Sequence, residues 1–263
     1  MQVILSPTKT QVFSNVFKDE SPRFMVRPPR FLSRTHALAE LLKRLSVNEL
    51  EKLMKISPKL AGATFEAVES WRLEHNQIIP NETAPAIFAY RGSSFSGFEL
   101  DKYTTQDFEF ANSYLNILSG FYGVLAPLDI IRSYRLELGL SWSFSVNGKV
   151  YKNLYDYWRE DVNNYLVEKL SSSDVLLNLA SQEYSKIIDK KRFFIVTVDF
   201  KTLNNKKLKT IATFAKQQRG RLADWIVANR VENIAEIKDY SNDGFSYEPT
   251  LSQSGYILFI KKN

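Results

Sequence analysis

The sequence predicts an α+β fold, built as one compact domain over residues 1–263 around a mixed β-sheet. A chain of 263 residues fits one large domain or two small ones, and its 44% hydrophobic composition can bury a sizeable core. The predicted helices and strands interleave without the regular strand–helix–strand period of a doubly wound fold. No internal repeat or low-complexity segment divides the chain, so we expect one domain.

The N-terminal part of the chain begins with a predicted strand at residues 1–7. Residues 10–33 have weak periodicity and contain prolines at 22, 28 and 29, which favours an extended crossing segment. Ser33 can cap a helix, because leucines follow at the helical positions 38, 41, 42 and 45.

A helical hairpin is predicted over about residues 46–72. Ser46 and Glu49 form a capping-box pattern that opens its first helix. Ser57 followed by Pro58 opens the second, as an N-cap and a proline at the first helical position. The inward positions of the second helix are expected at Leu60, Thr64, Val68 and Trp71.

The remaining elements are predicted from apolar runs and turn residues. Asn147-Gly148 is a strong hairpin signal, and Gly120 ends a helix. In chain order we expect a strand at 86–90, a helix at 104–119, a helix at 155–170, strands at 175–180 and 193–200, a turn at Asn204-Asn205, a returning strand at 208–214, a helix at 216–230 and a closing strand at 256–261.

The net charge of +6 is concentrated in one segment. Between Lys186 and Arg230 there are twelve Lys or Arg and three Asp or Glu, a local balance of +9, whereas the rest of the chain has 23 basic and 26 acidic residues. Such a segment attracts a polyanion or an acidic ligand. A solvated basic face is the alternative.

Basic residues also occur in two predicted helical elements, the hairpin at about 46–72 and the helix at 216–230. In the hairpin, Lys52 and Lys55 share a helix face at i,i+3 spacing and Lys59 follows in the first turn of the next helix. This arrangement resembles a helix-hairpin-helix, a DNA-binding element without sequence specificity, although the turn lacks the usual glycines. A hairpin packed only by leucines is the alternative.

The helix predicted at 216–230 carries Lys216, Arg219 and Arg230 on one stripe. A glycine inside a helix costs about 1 kcal/mol relative to alanine. Gly220 therefore indicates close approach by another backbone or a ligand. A basic surface helix with a packing glycine is the alternative interpretation.

Three segments combine arginine, glycine, serine and aromatic residues, at 91–97, 119–123 and 133–137. They suit loops that approach a ligand closely. None is a phosphate-binding P-loop, a dinucleotide-binding fingerprint or a nucleophile elbow. A carboxylate pair of Glu137 with Asp129 or Glu183 remains an open alternative.

Several classes of chemistry are not supported by the residues present. The chain has no cysteine, so disulfides and thiolate metal sites are excluded. His36 and His75 are the two histidines, and their spacing is not that of metal ligands. No apolar run is long enough for a membrane span, and the first residues do not resemble a signal peptide. We therefore expect a cytoplasmic protein without metal or cofactor.

Seven ordered sequence blocks resemble the peroxide stress protein YaaA family. They are residues 4–10 (ILSPTKT), 56–61 (ISPKLA), 118–125 (LSGFYGVL), 127–129 (PLD), 134–139 (YRLELG), 154–158 (LYDYW) and 178–184 (NLASQEY), and the helix around Lys216 also matches. The chain departs from the pattern at Ala126, where arginine is expected, and at Gln217-Gln218, where a more basic pair is usual. Both departures remove positive charge from the matching segments.

The resemblance implies a bacterial DNA-binding protein with one compact α+β domain, a helix-hairpin-helix-like element and a basic cleft. It implies binding of duplex or branched DNA with little sequence specificity, and a role in the hydrogen peroxide response that lowers iron-dependent oxidative damage. The family pattern contains no cofactor, and we expect a monomer.

The resemblance also places residues in the cleft and on the hairpin. Arginine and lysine would contact phosphates there, serine would act as a neutral donor, and Tyr122 would stack on a base or sugar. The cleft residues are Ser6, Lys9, Arg91, Tyr122, Arg135, Glu137, Lys216 and Arg219, and the hairpin residues are Lys52, Lys55 and Lys59.

Two other functions stay open at the level of sequence. The same cleft residues could serve a metal-free enzyme that acts on a small anionic metabolite. Alternatively, the basic segment 186–230 could dock on an acidic protein surface. Salt dependence of DNA binding, or a metabolite carried through purification, would separate these functions.

Overall fold

A mixed β-sheet of eight strands organises the residues that this computed structural model describes, which are 1–14, 24–73, 78–204 and 207–262. The strands are β1 (Gln2–Leu5), β2 (Thr10–Gln11), β3 (Thr83–Pro85), β4 (Tyr90–Arg91), β5 (Leu115–Ser119), β6 (Gly123–Leu125), β7 (Ile130–Arg132), β8 (Phe144–Val146), β9 (Lys149–Tyr151), β10 (Val175–Asn178), β11 (Phe194–Asn204), β12 (Lys207–Lys209), β13 (Phe245–Tyr247) and β14 (Tyr256–Lys262). The helices are α1 (Leu32–Leu42), α2 (Val47–Met54), α3 (Pro58–Glu69), α4 (Ala86–Ala89), α5 (Thr105–Tyr114), α6 (Leu154–Lys169), α7 (Gln182–Ser185) and α8 (Ala212–Ala228). Turns of 3₁₀-helix lie at Leu100–Lys102, Ile234–Asp239 and Pro249–Leu251.

The strand order in the main sheet is β13-β14-β11-β10-β1-β5-β6, and β12 pairs with β11. The five strands β14, β11, β10, β1 and β5 are mutually parallel, whereas β6, β12 and β13 pair antiparallel. The prediction of an α+β fold around a mixed sheet is therefore confirmed.

Strand β1 separates two hydrophobic layers. Its side chains alternate, so that Ile4 joins one buried cluster and Val3 and Leu5 join the other. Helices α1, α2, α3 and α6 contribute to the first cluster, and α5 and α8 contribute to the second. All four residues of β1 are buried, as expected for a parallel strand covered on both faces.

Several helix starts agree with the local capping signals. Ser46 and Glu49 form a capping box at α2, and the Ser57 side chain caps α3 with Pro58 in its first turn. The cap predicted at Ser33 is wrong, because α1 begins at Leu32 and its N-cap residue, Phe31, makes no side-chain cap bond.

The helical hairpin predicted at about 46–72 is present as α2 and α3. Lys55 follows α2 in the left-handed region, with φ 53°, and starts the turn into α3. Within α3, Thr64 and Val68 are buried as predicted, whereas Leu60 is exposed and the neighbouring Ala61 takes the inward position in its place. The role of this hairpin as a DNA-binding element stays a prediction.

Two middle elements differ from the prediction. The predicted helix at 104–119 ends at Tyr114, and Leu115–Ser119 forms strand β5, which lies between β1 and the edge strand β6. All five residues of β5 are buried, and their sequence, LNILS, has no period that distinguishes a buried strand from a buried helix. The strand predicted at 86–90 is instead the helical turn α4, which is fixed by hydrogen bonds from the Ala86 and Ile87 amides to the 127–129 segment.

The later elements mostly follow the prediction. Asn147 and Gly148 have positive φ and join β8 to β9 as a hairpin. The returning strand predicted at 208–214 is shorter, because β12 ends at Lys209 and α8 begins at Ala212. The turn residue Asn205, the histidine His75 and part of the predicted 10–33 crossing segment lie outside the described residues.

Candidate functional site

A cleft of about 510 Å³ opens at the carboxyl ends of β1 and β10. Ser6 follows β1, and Leu179 and Ser181 follow β10, so both strand ends contribute to its lining. The next parallel strands along the chain, β5 and β10, lie on opposite sides of β1. Open α/β sheets bind ligands in the crevice at such a switch point, outside the carboxyl ends of the strands.

Separate chain segments supply the charged side chains of this cleft. The loop after β1, strand β4, the segment after β7 and helix α8 all contribute to its lining. The cleft residues predicted from the sequence that meet here are Ser6, Lys9, Arg91, Arg135, Glu137, Lys216 and Arg219.

Glu137 connects two of the cations. One carboxylate oxygen lies 2.8 Å from Lys9 Nζ, and the other lies 3.5 Å from a terminal nitrogen of Arg135. The side chain of Glu137 is 23% exposed, whereas Lys9 is 63% exposed. Glu137 therefore partly neutralises the cleft and restricts the positions of both basic groups.

Arg219 is held by the sheet beneath it. Its guanidinium lies 3.1 Å from Asp199 Oδ1 on β11, and the Tyr256 hydroxyl donates to Asp199 Oδ2 at 3.2 Å. Burial, together with the Asp199 carboxylate, raises the pKa of Tyr256 to about 12, so this hydroxyl stays protonated. Arg219 is therefore oriented from β11 while it lines the cleft.

Other cations have hydrogen-bonding capacity left. Among the described residues, Arg91 and Lys216 have no ion-pair partner within 4.0 Å and are exposed at the cleft. The Nε atoms of Arg135 and Arg219 are buried without a hydrogen-bond partner in the same part of the chain. A buried donor without an acceptor is unfavourable, so these guanidinium groups are incompletely satisfied.

The ends of β1 and β10 are joined by two serines. The Ser181 amide donates to Ser6 Oγ at 2.8 Å, and Ser6 Oγ donates to Ser181 Oγ at 3.2 Å. Ser181 precedes α7 but makes no side-chain cap bond. Its Oγ accepts from Ser6 and donates to no group among the described residues, so its hydroxyl proton is available to an acceptor in the cleft.

One wall of the cleft is packed tightly through Gly220. A Cβ atom at Gly220 would collide with the Ser94 carbonyl oxygen, and one at Gly97 would lie 2.8 Å from the Arg221 amide. Asp224 on α8 also accepts from the Glu99 amide at 3.0 Å. The close approach predicted at Gly220 is thus to another backbone, and it fixes the loop after Arg91 against α8.

A buried hydroxyl cluster lies next to the cleft. Tyr134 Oη is 2.6 Å from Tyr90 Oη and 2.8 Å from Ser119 Oγ. Burial raises the pKa of Tyr134 to about 12. Tyr134 lines the cleft, but sequence reasoning did not single it out. The only available signal was its place beside Arg135 in a segment rich in polar and aromatic residues.

The prediction that Tyr122 lines the cleft is wrong. Tyr122 is 0% exposed, and its hydroxyl accepts from the Arg132 amide at 3.0 Å and from Trp71 Nε1 at 3.4 Å. The ring packs edge-on against Phe121 and Tyr134. Tyr122 is a core residue because the turn after β5 directs it inwards, so it cannot stack on a ligand.

Other predicted cations lie away from the cleft. Lys52, Lys55 and Lys59 are exposed on the hairpin, and none of them lines the cleft. Arg230 does not continue the stripe of Lys216 and Arg219, because it lies beyond the end of α8 with φ 51°. It pairs with Asp107 at 3.1 Å instead.

Neither a metal centre nor a membrane span is found in the described parts of the chain. No group of three or more His, Cys, Asp or Glu residues there could hold a metal ion. No described helix is long and apolar enough to cross a bilayer.

Comparison with known proteins gives consistent relatives over the full chain. A UPF0246 protein of Crocosphaera subtropica is 37% identical over 265 residues, covering 99% of this chain and all of the relative. A UPF0246 protein of Francisella tularensis subsp. tularensis is 35% identical over 270 residues, covering 99% of this chain and all of the relative. One of Fusobacterium nucleatum is 32% identical over 264 residues, covering both chains fully. The family profile described as "Peroxide stress protein YaaA" matches residues 1–251. The chain therefore belongs to the YaaA peroxide stress protein family.

Proposed function

We propose that this protein is a cytoplasmic, monomeric DNA-binding protein of the peroxide stress response, which binds duplex or branched DNA with little sequence specificity and helps limit iron-dependent oxidative damage. The observation that carries the proposal is the gathering of Lys9, Arg91, Arg135, Lys216 and Arg219 at one cleft. Arginine forks and lysine point charges bind phosphate oxygens without reading base sequence. The family description supports the role in peroxide stress.

Salt dependence tests the DNA-binding proposal directly. If four to six phosphates are neutralised, a plot of log K against log[salt] should have a slope of about −4 to −5. Duplexes of scrambled sequence should bind equally well. A flat slope, or no binding at about 50 mM salt, would contradict the proposal.

The cleft can be tested with a matched pair of lysine variants. Lys216 lines the cleft, whereas Lys191 is exposed in the same basic segment but does not line it. Lys216→Ala should reduce the magnitude of the salt slope by about one unit, and Lys191→Ala should leave it unchanged. Arg219→Ala is a weaker probe, because it also leaves Asp199 without its ion-pair partner.

A metal-free enzyme acting on a small anionic metabolite is the second candidate function. Its support is the size and place of the cleft, which lies at the switch point of the sheet and has about 510 Å³, within the usual range of small-ligand sites. In that case Glu137, held between Lys9 and Arg135, would be the candidate general base or arginine-orienting group.

Glu137→Gln separates the two candidates. Loss of this negative charge should leave DNA affinity unchanged or higher, because a carboxylate repels phosphate. We would measure peroxide survival of a deletion strain carrying each variant, alongside DNA binding. If peroxide survival falls only in variants whose DNA affinity falls, the result supports the DNA-binding function. Loss of protection with intact DNA affinity would favour the enzyme.

A further inference from the structure

The size of the cleft limits what can enter it. Its volume of about 510 Å³ suits a ligand of roughly one nucleotide and not a turn of duplex. A duplex can therefore contact the mouth of the cleft, while the interior takes a single small group. The packed contacts of Gly220 with Ser94 and of Gly97 with Arg221 restrict widening on the α8 side.

The charges at the cleft favour a dianion. Among the described residues, the five cations already named line it together with the carboxylates of Glu137 and Glu183. Asp199 compensates Arg219 from beneath. The formal balance of these groups is +2. A phosphate monoester carries a charge of about −1.5 to −2 at neutral pH, whereas each phosphodiester of a DNA strand carries −1.

The hydroxyl cluster provides a neutral donor beside these charges. Ser119 Oγ accepts from the amides of Phe121 and Tyr122, at 3.2 and 3.1 Å, so its own proton is donated to Tyr134. Tyr134 and Tyr90 share one further hydrogen bond. Among the described residues, one phenol proton of this pair therefore has no acceptor.

The free phenol proton belongs at Tyr134. Tyr90 is 0% exposed and does not line the cleft, whereas Tyr134 does line it and is 8% exposed. A buried donor without an acceptor is costly, so the arrangement in which Tyr90 donates to Tyr134 is favoured. An oxyanion in the cleft can then accept from Tyr134, as well as from Ser181 and the cations.

We propose that the cleft binds a phosphate monoester in preference to a phosphodiester, supplied either as a free nucleotide or as the terminal phosphate of a DNA strand. This inference rests on the proposed function, because it names the group that the cleft would take from DNA. Terminal phosphates occur at broken strands, and a monoester has more unesterified oxygens to share between arginine forks and hydroxyl donors than a diester.

Isothermal titration of the full chain tests the ligand class. The probes are adenosine 5′-monophosphate, inorganic phosphate and dimethyl phosphate, with succinate as a dianion that lacks phosphorus. We expect adenosine 5′-monophosphate to bind at least 10-fold more tightly than dimethyl phosphate or succinate. Its affinity should rise between about pH 5 and 7, as the second phosphate proton is lost. Equal affinity for monoester and diester, or no binding of either, would overturn the proposal.

Tyr134→Phe tests the donor geometry, with Tyr247→Phe as a control outside the cleft. Tyr134→Phe should weaken monoester binding by about 10- to 100-fold, a loss typical of one hydrogen bond to a charged group, and should leave the salt slope of duplex binding unchanged. Tyr247→Phe should change neither. Unchanged monoester binding in folded Tyr134→Phe would overturn the assignment of the donor.

Duplexes with different ends distinguish the two sources of the monoester, a free nucleotide and the terminal phosphate of a DNA strand. Linear duplex with 5′-phosphate ends should bind more tightly than the same duplex with 5′-hydroxyl ends if the source is a strand terminus. Equal binding, with retained affinity for the mononucleotide, assigns a free nucleotide instead. Salt-dependent DNA binding without monoester preference would remove this inference and keep the proposed function. Monoester binding without DNA binding would remove the proposed function and keep the inference.

Discussion

Two tyrosines in similar sequence contexts, Tyr122 and Tyr134, differ in whether they line the cleft. Tyr122 and Tyr134 are both buried in the same hydrophobic cluster, at 0% and 8% exposure, yet Tyr134 lines the cleft and Tyr122 does not. The difference depends on which way each turn directs its side chain, and the local sequence does not determine this. Charged cleft residues were easier to predict, because burial of an unpaired charge is unfavourable and keeps them at the surface.

The buried carboxyl group of Asp129 gives a prediction about how stability depends on pH. Asp129 is 5% exposed, and its Oδ2 atom accepts from the Ala126 amide at 2.8 Å. Burial raises the pKa of Asp129 to about 7, against the opposing charges of Lys169 and Arg27. Between about pH 4 and 7 the folded state therefore keeps a proton that the unfolded state has released.

The stability that Asp129 contributes is present below its unfolded pKa and is lost as the pH rises through about 7. Relative to Asp129→Asn, which keeps an acceptor oxygen, the free energy of unfolding of the unaltered protein should fall over this window by up to about 1.4 kcal/mol per pH unit. Urea unfolding at a series of pH values measures the difference. A constant difference from pH 4 to 7 would show that Asp129 is ionised in the folded state throughout.

Elements with local signals were predicted better than elements without them. The capping box at Ser46, the Pro58 start and the Asn147-Gly148 turn each lie within four residues of the structure they determine. Strand β5 has no such signal, because its five buried residues fit a helix equally well until the parallel pairing with β1 is known.

The helical hairpin gives a prediction for an element. Lys55→Glu with Lys59→Glu should weaken DNA binding without unfolding the protein, because exposed lysines contribute little to stability. Lys152→Glu is the control, an exposed lysine outside the hairpin. DNA affinity measured by fluorescence anisotropy should fall only in the hairpin variant. Equal binding by all three proteins would make the hairpin a structural element only.

Lys55→Gly separates charge from backbone conformation in that test. Lys55 has φ 53°, a conformation that glycine adopts without the cost of about 1 kcal/mol that a side chain incurs. The variant should therefore unfold at the same or a higher temperature while it lacks one positive charge. A lower melting temperature would indicate that the Lys55 side chain makes stabilising contacts of its own.

For the whole molecule, β1 should make unfolding cooperative across both hydrophobic layers. Val3 and Ile4 are 0% exposed and belong to different layers. Val3→Ala and Ile4→Ala should each lower the free energy of unfolding by about 2–4 kcal/mol. Each variant should still unfold in one transition that includes both layers. Calorimetry and near-ultraviolet circular dichroism should report a single midpoint. Two separate transitions would contradict the prediction of one domain over residues 1–263.

The sequence pattern does not predict the order of the strands in the sheet. Periodicity indicates that a strand is buried, but it does not name the partner, and β1 pairs with strands more than a hundred residues away. The cleft depends on this pairing, because it lies where the ends of β1 and β10 meet. The sequence therefore predicts most of the charged residues of the cleft but not the switch point that brings them together.

The position of β1 between β10 and β5, two strands that follow it much later in the chain, also has a consequence for synthesis on the ribosome. β1 is translated about 170 residues before β10, its parallel neighbour. At about 5–20 residues per second, the nascent chain carries this apolar strand for roughly 10–30 s before the sheet can close around it. During that interval Val3, Ile4 and Leu5 have no partner strand on the β10 side. The nascent protein should therefore depend on chaperones that shield its N-terminal segment until the second half of the chain emerges.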